Sequence, residues 1–155
     1  MTPTPLLAIA LGWTAGMRSM TPPALLAHAL SGTVRPRRQP ARVLTSPLAQ
    51  RLLPLAAGGE LIADKLPITP ARTSPPALAG RLMMGGVCGA AVAAARQEDW
   101  PLPAVLGAVA AGLSSVVMMR ARADAARRWV LPDPAVALVE DGLALAGAGL
   151  AARAV

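Results

Sequence analysis

Apolar residues run through this chain in long blocks, and polar ones gather at the seams between them. Five blocks are long enough, or nearly so, to cross about 30 Å of hydrocarbon, which takes about 20 helical residues. The first runs from about Pro5 to Leu30 and is interrupted by RSMTPP, Arg18 to Pro23. A basic, proline-bearing loop, Ser31 to Thr45, follows. The second block, Ser46 to Leu66, carries Glu60 and Asp64 in its later half. After PITPARTSPP comes the third, from about Ala77 to Ala95, closed by RQEDWP. The fourth spans Leu102 to Met119, with a helical pattern that continues toward Arg128. The fifth occupies Pro134 to Ala152, with Glu140 and Asp141 near its middle. The pattern predicts an all-α, polytopic membrane helix bundle of about five transmembrane helices, the first of them broken. It forms one integral membrane domain over 1–155: a first half at about 4–67, the third helix at about 77–95 and a second half at about 102–155.

Two short matches suggest that the halves are related. TAGMRS (Thr14 to Ser19) in the first block resembles AAGLSS (Ala110 to Ser115) in the fourth, and Pro54 precedes Glu60 by the same interval as Pro134 precedes Glu140. Equating first with fourth and second with fifth requires the fourth helix to run opposite to the first, an inverted repeat of the kind that secondary transporters use. Chance resemblance between Ala-rich helices is the competing explanation. Small residues also recur at four-residue spacing: Gly12 with Gly16, Gly85 with Gly89, and the run GLALAGAG from Gly142. Such spacing lets helices pack closely in lipid, although a chain this rich in Ala and Gly produces it by accident too.

Composition strengthens the membrane reading. Hydrophobic residues make up 54% of the chain and aromatics 2%, all tryptophan, with a mean hydropathy of +0.50. A water-soluble core would have to be filled from Ala, Leu, Val and Met alone. The N-terminal apolar run has no basic residue ahead of it, which makes a poor secretory signal, so it is expected to stay in the mature protein. One Cys and one His supply neither a disulfide nor a zinc ligand set, and no metal or cofactor is expected. Cys88 and His28 are expected to pack or to sit at an interface, and Met83, Met84, Met118 and Met119 to face lipid or to pack.

The net charge of +7 would suggest nucleic acid in a soluble protein. Here the bases cluster in TVRPRRQPAR and RARADAARRW, at the ends of apolar blocks, where anionic lipid headgroups attract them. Without interleaved aromatics to stack on bases, nucleic acid is not an expected partner. Five alternating crossings would put the two clusters on opposite sides, so charge gives no vote on orientation.

The chemistry lies in the charges within the blocks. A charged group at bilayer depth costs at least about 2.5 kcal/mol on insertion scales, and such groups face the bundle interior and find partners. Glu60 and Asp64, four apart, would share one helix face. Lys65, Arg72 and Arg81 are the nearby bases, and Arg18 is expected to meet an acid of the second or fifth helix. Ser19 and Thr21 stand at the proline break, where freed carbonyls are tolerated only inside protein or beside a cavity. RTSPPALAG, from Arg72, repeats the arrangement of RSMTPPALLA, from Arg18. In the second copy Ser before Pro also reads as ordinary helix capping.

AGMRSMTPPALL, ELIADKLPITPARTSPPALAGR and ALVEDGLALAG together resemble the family called domain of unknown function 4126, small polytopic proteins of the bacterial inner (cytoplasmic) membrane. The resemblance covers most of the chain and implies fold and location, without an activity. It points to Arg18, Ser19, Thr21, Glu60, Asp64, Lys65, Pro67, Arg72, Arg81, Glu140 and Asp141 as the family-like polar positions.

Three functions are then in view. One is a transporter or channel for a small ion or solute, with Glu60, Asp64, Glu140 and Asp141 binding a cation or proton and Arg18 serving as counter-charge or anion contact. The alternative is a non-transporting scaffold whose charges only fix helix packing. A lipid-headgroup enzyme is the weakest, since no nucleophile with an adjacent His and no phosphate loop is present, and the chain is not expected to be an enzyme. A homodimer through the Gly-rich faces is a further expectation.

Overall fold

The structure, a computed structural model, describes residues 2–32, 38–63, 74–128 and 133–155, apart from the side chains of 126–128 and 133–135. The described residues form helices and no strand: α1 Thr4–Met17, α2 Thr21–Ser31, α3 Ala41–Leu44, α4 Pro47–Ala63, α5 Pro75–Ala95, α6 Pro101–Arg128 and α7 Asp133–Arg153. The loop expected between the first two blocks thus contains the single turn α3.

Helix α1 stops because of the prolines that follow it. A continuous helix would need amides at positions 22 and 23 to bond the carbonyls of Arg18 and Ser19, and proline supplies neither. Arg18 accordingly turns extended, at φ −141 and ψ 111. The new helix starts at Thr21, with Pro22 and Pro23 in its first turn, where no amide is required. The break is therefore Arg18–Met20, shorter than the expected RSMTPP. Pro75 and Pro76 open α5 in the same way, but Ser74 makes no side-chain cap bond there.

Contacts at the two ends of the bundle fix the direction of every long helix. Arg96, just past α5, donates to the carbonyls of Thr2 at 2.6 Å and Ala154 at 2.8 Å. At the other end Arg81, in α5, and Ser115, in α6, both donate to the Gly16 carbonyl. So α5 is antiparallel to α1, and α6 is parallel to it. Asp141, in α7, reaches Arg18, while Ala154 lies at the Arg96 end, which makes α7 antiparallel to α1.

Helix α2 folds back on α1. Arg38 donates to the Gln97 carbonyl at the Arg96 end, and six residues from Gly32 can span only about 20 Å. Had α2 continued onward, Gly32 would lie about 37 Å away, the combined length of α1 and α2 at 1.5 Å per residue. Leu26, Ala27 and Leu30 are buried in one apolar cluster with Leu7, Leu11, Ala91 and Ala94. Gln50 of α4 bonds the Ala27 carbonyl and Glu60 meets Ser19 and Met20, so α4 runs back toward the break. What the sequence presents as one interrupted crossing is a helical hairpin with its tip at Arg18–Met20. Residues 2 and 154 end on the same side. Helix α6, which holds AAGLSS, runs in the same direction as α1, which holds TAGMRS; the inverted arrangement expected from that pairing needs opposite directions.

Glycines let α1, α5 and α6 approach to backbone contact. A Cβ on Gly107 would fall 2.2 Å from the Gly85 carbonyl oxygen, and one on Gly12 would fall 2.2 Å from that of Gly107. The Gly12/Gly16 and Gly85/Gly89 spacings are thus packing faces in this fold. Gly142 and Gly149 of α7 face open space.

Large apolar side chains lie outside the bundle as well as in its core. Leu55, Ile62, Leu102, Val139 and Leu150 are exposed, whereas Arg18, Arg81, Glu140 and Asp141 are buried. Among the described residues two helices, Pro75–Ala95 and Pro101–Ala125, are long and apolar enough to cross a membrane, and Thr4–Met17 is a shorter apolar helix.

Gly107→Ala is expected to destabilise the protein by about 1–3 kcal/mol, because the new methyl meets backbone that cannot rotate away. Gly142→Ala, in open space, should change stability by less than about 0.5 kcal/mol. Thermal unfolding in detergent compares the two.

Candidate functional site: the hairpin tip

The break leaves two helix ends facing into the bundle, each with a partial charge from its backbone dipoles: negative at the end of α1, positive at the start of α2. Each is met by a side chain of opposite sign. Arg81 Nη1 donates to the Gly16 carbonyl at 2.7 Å, and Ser115 Oγ adds a second bond to that oxygen at 3.2 Å. Across the tip, Glu60 Oε1 accepts from the Ser19 amide and the Ser19 hydroxyl, both at 2.8 Å, and Oε2 accepts from the Met20 amide at 2.8 Å. A carboxylate shared among such donors is held by charge-assisted bonds, stronger than neutral ones.

Between these ends Arg18 is buried, at 1% exposure. Its Nε donates to Asp141 Oδ1 at 2.7 Å, and an Nη2 contact to the same oxygen completes the pair. The partners are far apart in sequence, so the pair ties α7 to the tip. Asp141's neighbour Glu140 is also buried and faces a different helix: its Oε2 lies 4.0 Å from Arg122 Nη1 of α6. Two consecutive acids on α7 thereby serve two neighbours.

Among the described residues, two buried hydroxyls at the tip have no hydrogen-bond partner: Thr21 Oγ1, in the first turn of α2, and Ser114 Oγ, beside Gly16. Buried polar atoms are normally satisfied, so these two depart from the general pattern.

Of the residues expected at the site, Arg18, Ser19, Thr21, Glu60, Arg81 and Asp141 come together at the tip. Glu140 lies beside it, turned toward Arg122. Asp64, Lys65 and Arg72 lie outside the described residues, and with them the expected two-carboxylate face of Glu60 and Asp64. The sequence reading missed Ser115 and Arg122. Ser115 was visible as half of a Ser pair in an otherwise apolar helix; Arg122 looked like one more headgroup arginine, four residues beyond Met118. Nothing in the sequence marked the Met20 amide or the Gly16 carbonyl, since backbone groups have no identity there.

A groove of about 460 Å³ lined by Leu6, Ile9, Trp13, Met118 and Leu143 runs along α1, α6 and α7. It is apolar, and Glu60, Arg18 and Asp141 are not part of its lining. Among the described residues no group of three or more His, Cys, Asp or Glu could hold a metal ion.

Fold and site together define a small helical bundle with many exposed apolar side chains and a helical hairpin whose charged tip is partly buried among the other helices. Residues 6–154 match the family described as domain of unknown function (DUF4126), and the chain belongs to it. That span takes in every residue of the tip. No curated protein and no solved structure matched the chain.

Removing one partner of the Arg18–Asp141 pair strands a buried charge, which costs about 3–5 kcal/mol. Asp141→Asn and Arg18→Met should each lower stability by about that amount. The double variant Arg18→Met with Asp141→Leu should lose less than the sum, and chemical denaturation of all four proteins in detergent measures the coupling.

Proposed function

We propose that this is a multi-pass protein of the bacterial inner membrane, neither an enzyme nor a carrier of a cofactor, that passes a small ion or solute across the bilayer at the hairpin tip. The observation that carries this reading is the helix break itself: non-helical backbone, ionisable side chains and unpartnered hydroxyls gathered at one buried point. At 14 and 11 residues, α1 and α2 extend about 21 and 16 Å, short of the about 30 Å of a hydrocarbon core. The hairpin is therefore re-entrant, ending within the membrane, with α5, α6 and α7 as crossings and a fourth passage that begins with α4, in place of five alternating spans. Half-helix ends that meet near the middle of a membrane are where transporters bind ions and solutes. Ionisable residues at that depth are functional sites by default.

A specific observation favours a second reading, a scaffold without transport. Arg18, Arg81, Glu60 and Glu140 each have a partner, and a fully paired network could serve only to lock the hairpin between α4, α5 and α7. Basic residues stand at both ends of the bundle, Arg38 and Arg42 at one and Arg120 at the other, placed to meet anionic headgroups on either surface.

Purified protein in liposomes should show a flux, in a screen of protons and small ions, that Glu60→Gln abolishes. A scaffold gives no flux, and Glu60→Gln then changes only thermal stability. The re-entrant hairpin has its own test. In a Cys88→Ala background, Thr2→Cys and Ala154→Cys should react with an impermeant maleimide from the same side of the membrane; five alternating crossings put them on opposite sides.

A further inference from the structure

Besides the groove along α1, α6 and α7, a second one of about 410 Å³ opens at the seam of α5 and α6. Gln39, Pro40 and Trp100 line it near the Arg96 end, and Gly86, Ala90 and Ala104 line it along the two helices. Small side chains keep the seam open there. A Cβ on Gly85 or Gly89 would strike the backbone of α6, at 2.5 and 2.1 Å, but one on Gly86 would make ordinary contact, 3.4 Å from the Ala104 carbonyl oxygen. Close packing therefore requires Gly85 and Gly89, whereas Gly86 leaves room beside α6. From Gly86 to Ala95 the helix rises about 14 Å. That is close to half of the about 30 Å hydrocarbon core, the depth of one leaflet.

The mouth of this groove is basic. Arg38 and Arg42 flank Gln39 and Pro40 in the chain and are exposed. Helix α3 holds the stretch in place, since Ala41 and Leu44 are buried in one cluster with Ala91, Val92 and Ala94. Arg38 reaches a neutral group, the Gln97 carbonyl at 3.4 Å, and among the described residues neither arginine is in an ion pair. Arg96, bonded to the Thr2 and Ala154 carbonyls, and exposed Arg153 add their charge at the same end. Against these four cations stand two exposed acids, Glu98 and Asp99. Trp100 follows them, 55% exposed, and an indole ring so placed favours the headgroup level of a bilayer. An apolar slot one leaflet deep beneath a net positive rim is complementary to a molecule with an acyl chain below and a phosphate above.

We propose that this groove is a binding site for one anionic glycerophospholipid, with an acyl chain along the α5–α6 seam and the phosphate facing Arg38 and Arg42. The inference rests on the membrane location proposed above and not on transport. It goes beyond a general attraction of basic ends to anionic surfaces, because it names one groove, one chain and two arginines.

Trp100 is the reporter. In a Trp13→Phe, Trp129→Phe background the full chain in detergent is titrated with phosphatidylglycerol brominated on its acyl chains, and separately with phosphatidylcholine brominated in the same way, since bromine quenches tryptophan on contact. Quenching should saturate with both lipids, and at a lower mole fraction with phosphatidylglycerol, by about fivefold for each of the two arginines. Arg38→Gln with Arg42→Gln should bring the two curves together, and Gly86→Leu, which fills the groove, should remove saturation with either lipid. Coincident curves before the arginines are changed, or a preference that survives both changes, overturns the proposal. If the background is not recovered folded, native mass spectrometry of the parent chain reads the same comparison: phosphatidylglycerol retained over phosphatidylcholine, and no longer so without the two arginines. Equal retention overturns the proposal equally. A doubled mass in detergent that excludes either lipid from the groove assigns it to a second copy of the chain and also overturns it. Reconstitution separates the two levels of failure. A chain that incorporates into liposomes but shows no lipid preference loses the site alone; one that does not incorporate loses the membrane location with it.

Discussion

A helix broken inside a bundle must have its loose ends satisfied there, because neither lipid nor a packed interior will do it. In this protein the requirement arises at Arg18–Met20, and the surrounding fold answers it. Pro22 and Pro23 deny the Arg18 and Ser19 carbonyls their usual amides and so create the tip. Arg81 and Ser115 take up the end of α1, Glu60 takes up the start of α2, and Asp141 neutralises the arginine between them. Four helices, α4, α5, α6 and α7, each send at least one group to the same few residues.

Such convergence needs close approach, and the glycines supply it. Gly12, Gly85 and Gly107 bring α1, α5 and α6 so near that a methyl group on any of them would strike a backbone oxygen. Without that approach Arg81 and Ser115 could not both reach the Gly16 carbonyl. Packing and polar satisfaction are thus one design, and α4 is the exception. It brings a charge to the tip without any buried residue of its own.

The sequence revealed much of this, and its gaps have physical causes. The apolar blocks marked the long helices because lipid-facing and buried residues are alike hydrophobic; the proline pair marked the break because proline cannot join the ladder. Charges within the apolar blocks stood out by what they would cost in a bilayer, and Arg18 meets an acid of the last helix. The fold-back of α2 was not legible. A kinked crossing and a hairpin share the same residues, and only contacts distant in sequence, such as Gln50 with Ala27 and Arg38 with Gln97, tell them apart. The same reversal sets α6 parallel to α1, so TAGMRS and AAGLSS lie on helices of the same direction, whereas an inverted repeat needs opposite ones. Which acid serves which partner was equally hidden: Glu140 and Asp141 are adjacent in the chain but turn to different helices.

The central claim is that the Glu60 carboxylate completes the start of α2 inside the bundle. Solid-state NMR of the protein in lipid bilayers can observe the Ser19 and Met20 amides directly. The account predicts that both protons resonate well downfield, as charge-assisted hydrogen bonds require, and that both return to ordinary positions in Glu60→Ala. Amide signals at ordinary positions in the parent protein, unmoved by the substitution, would contradict it.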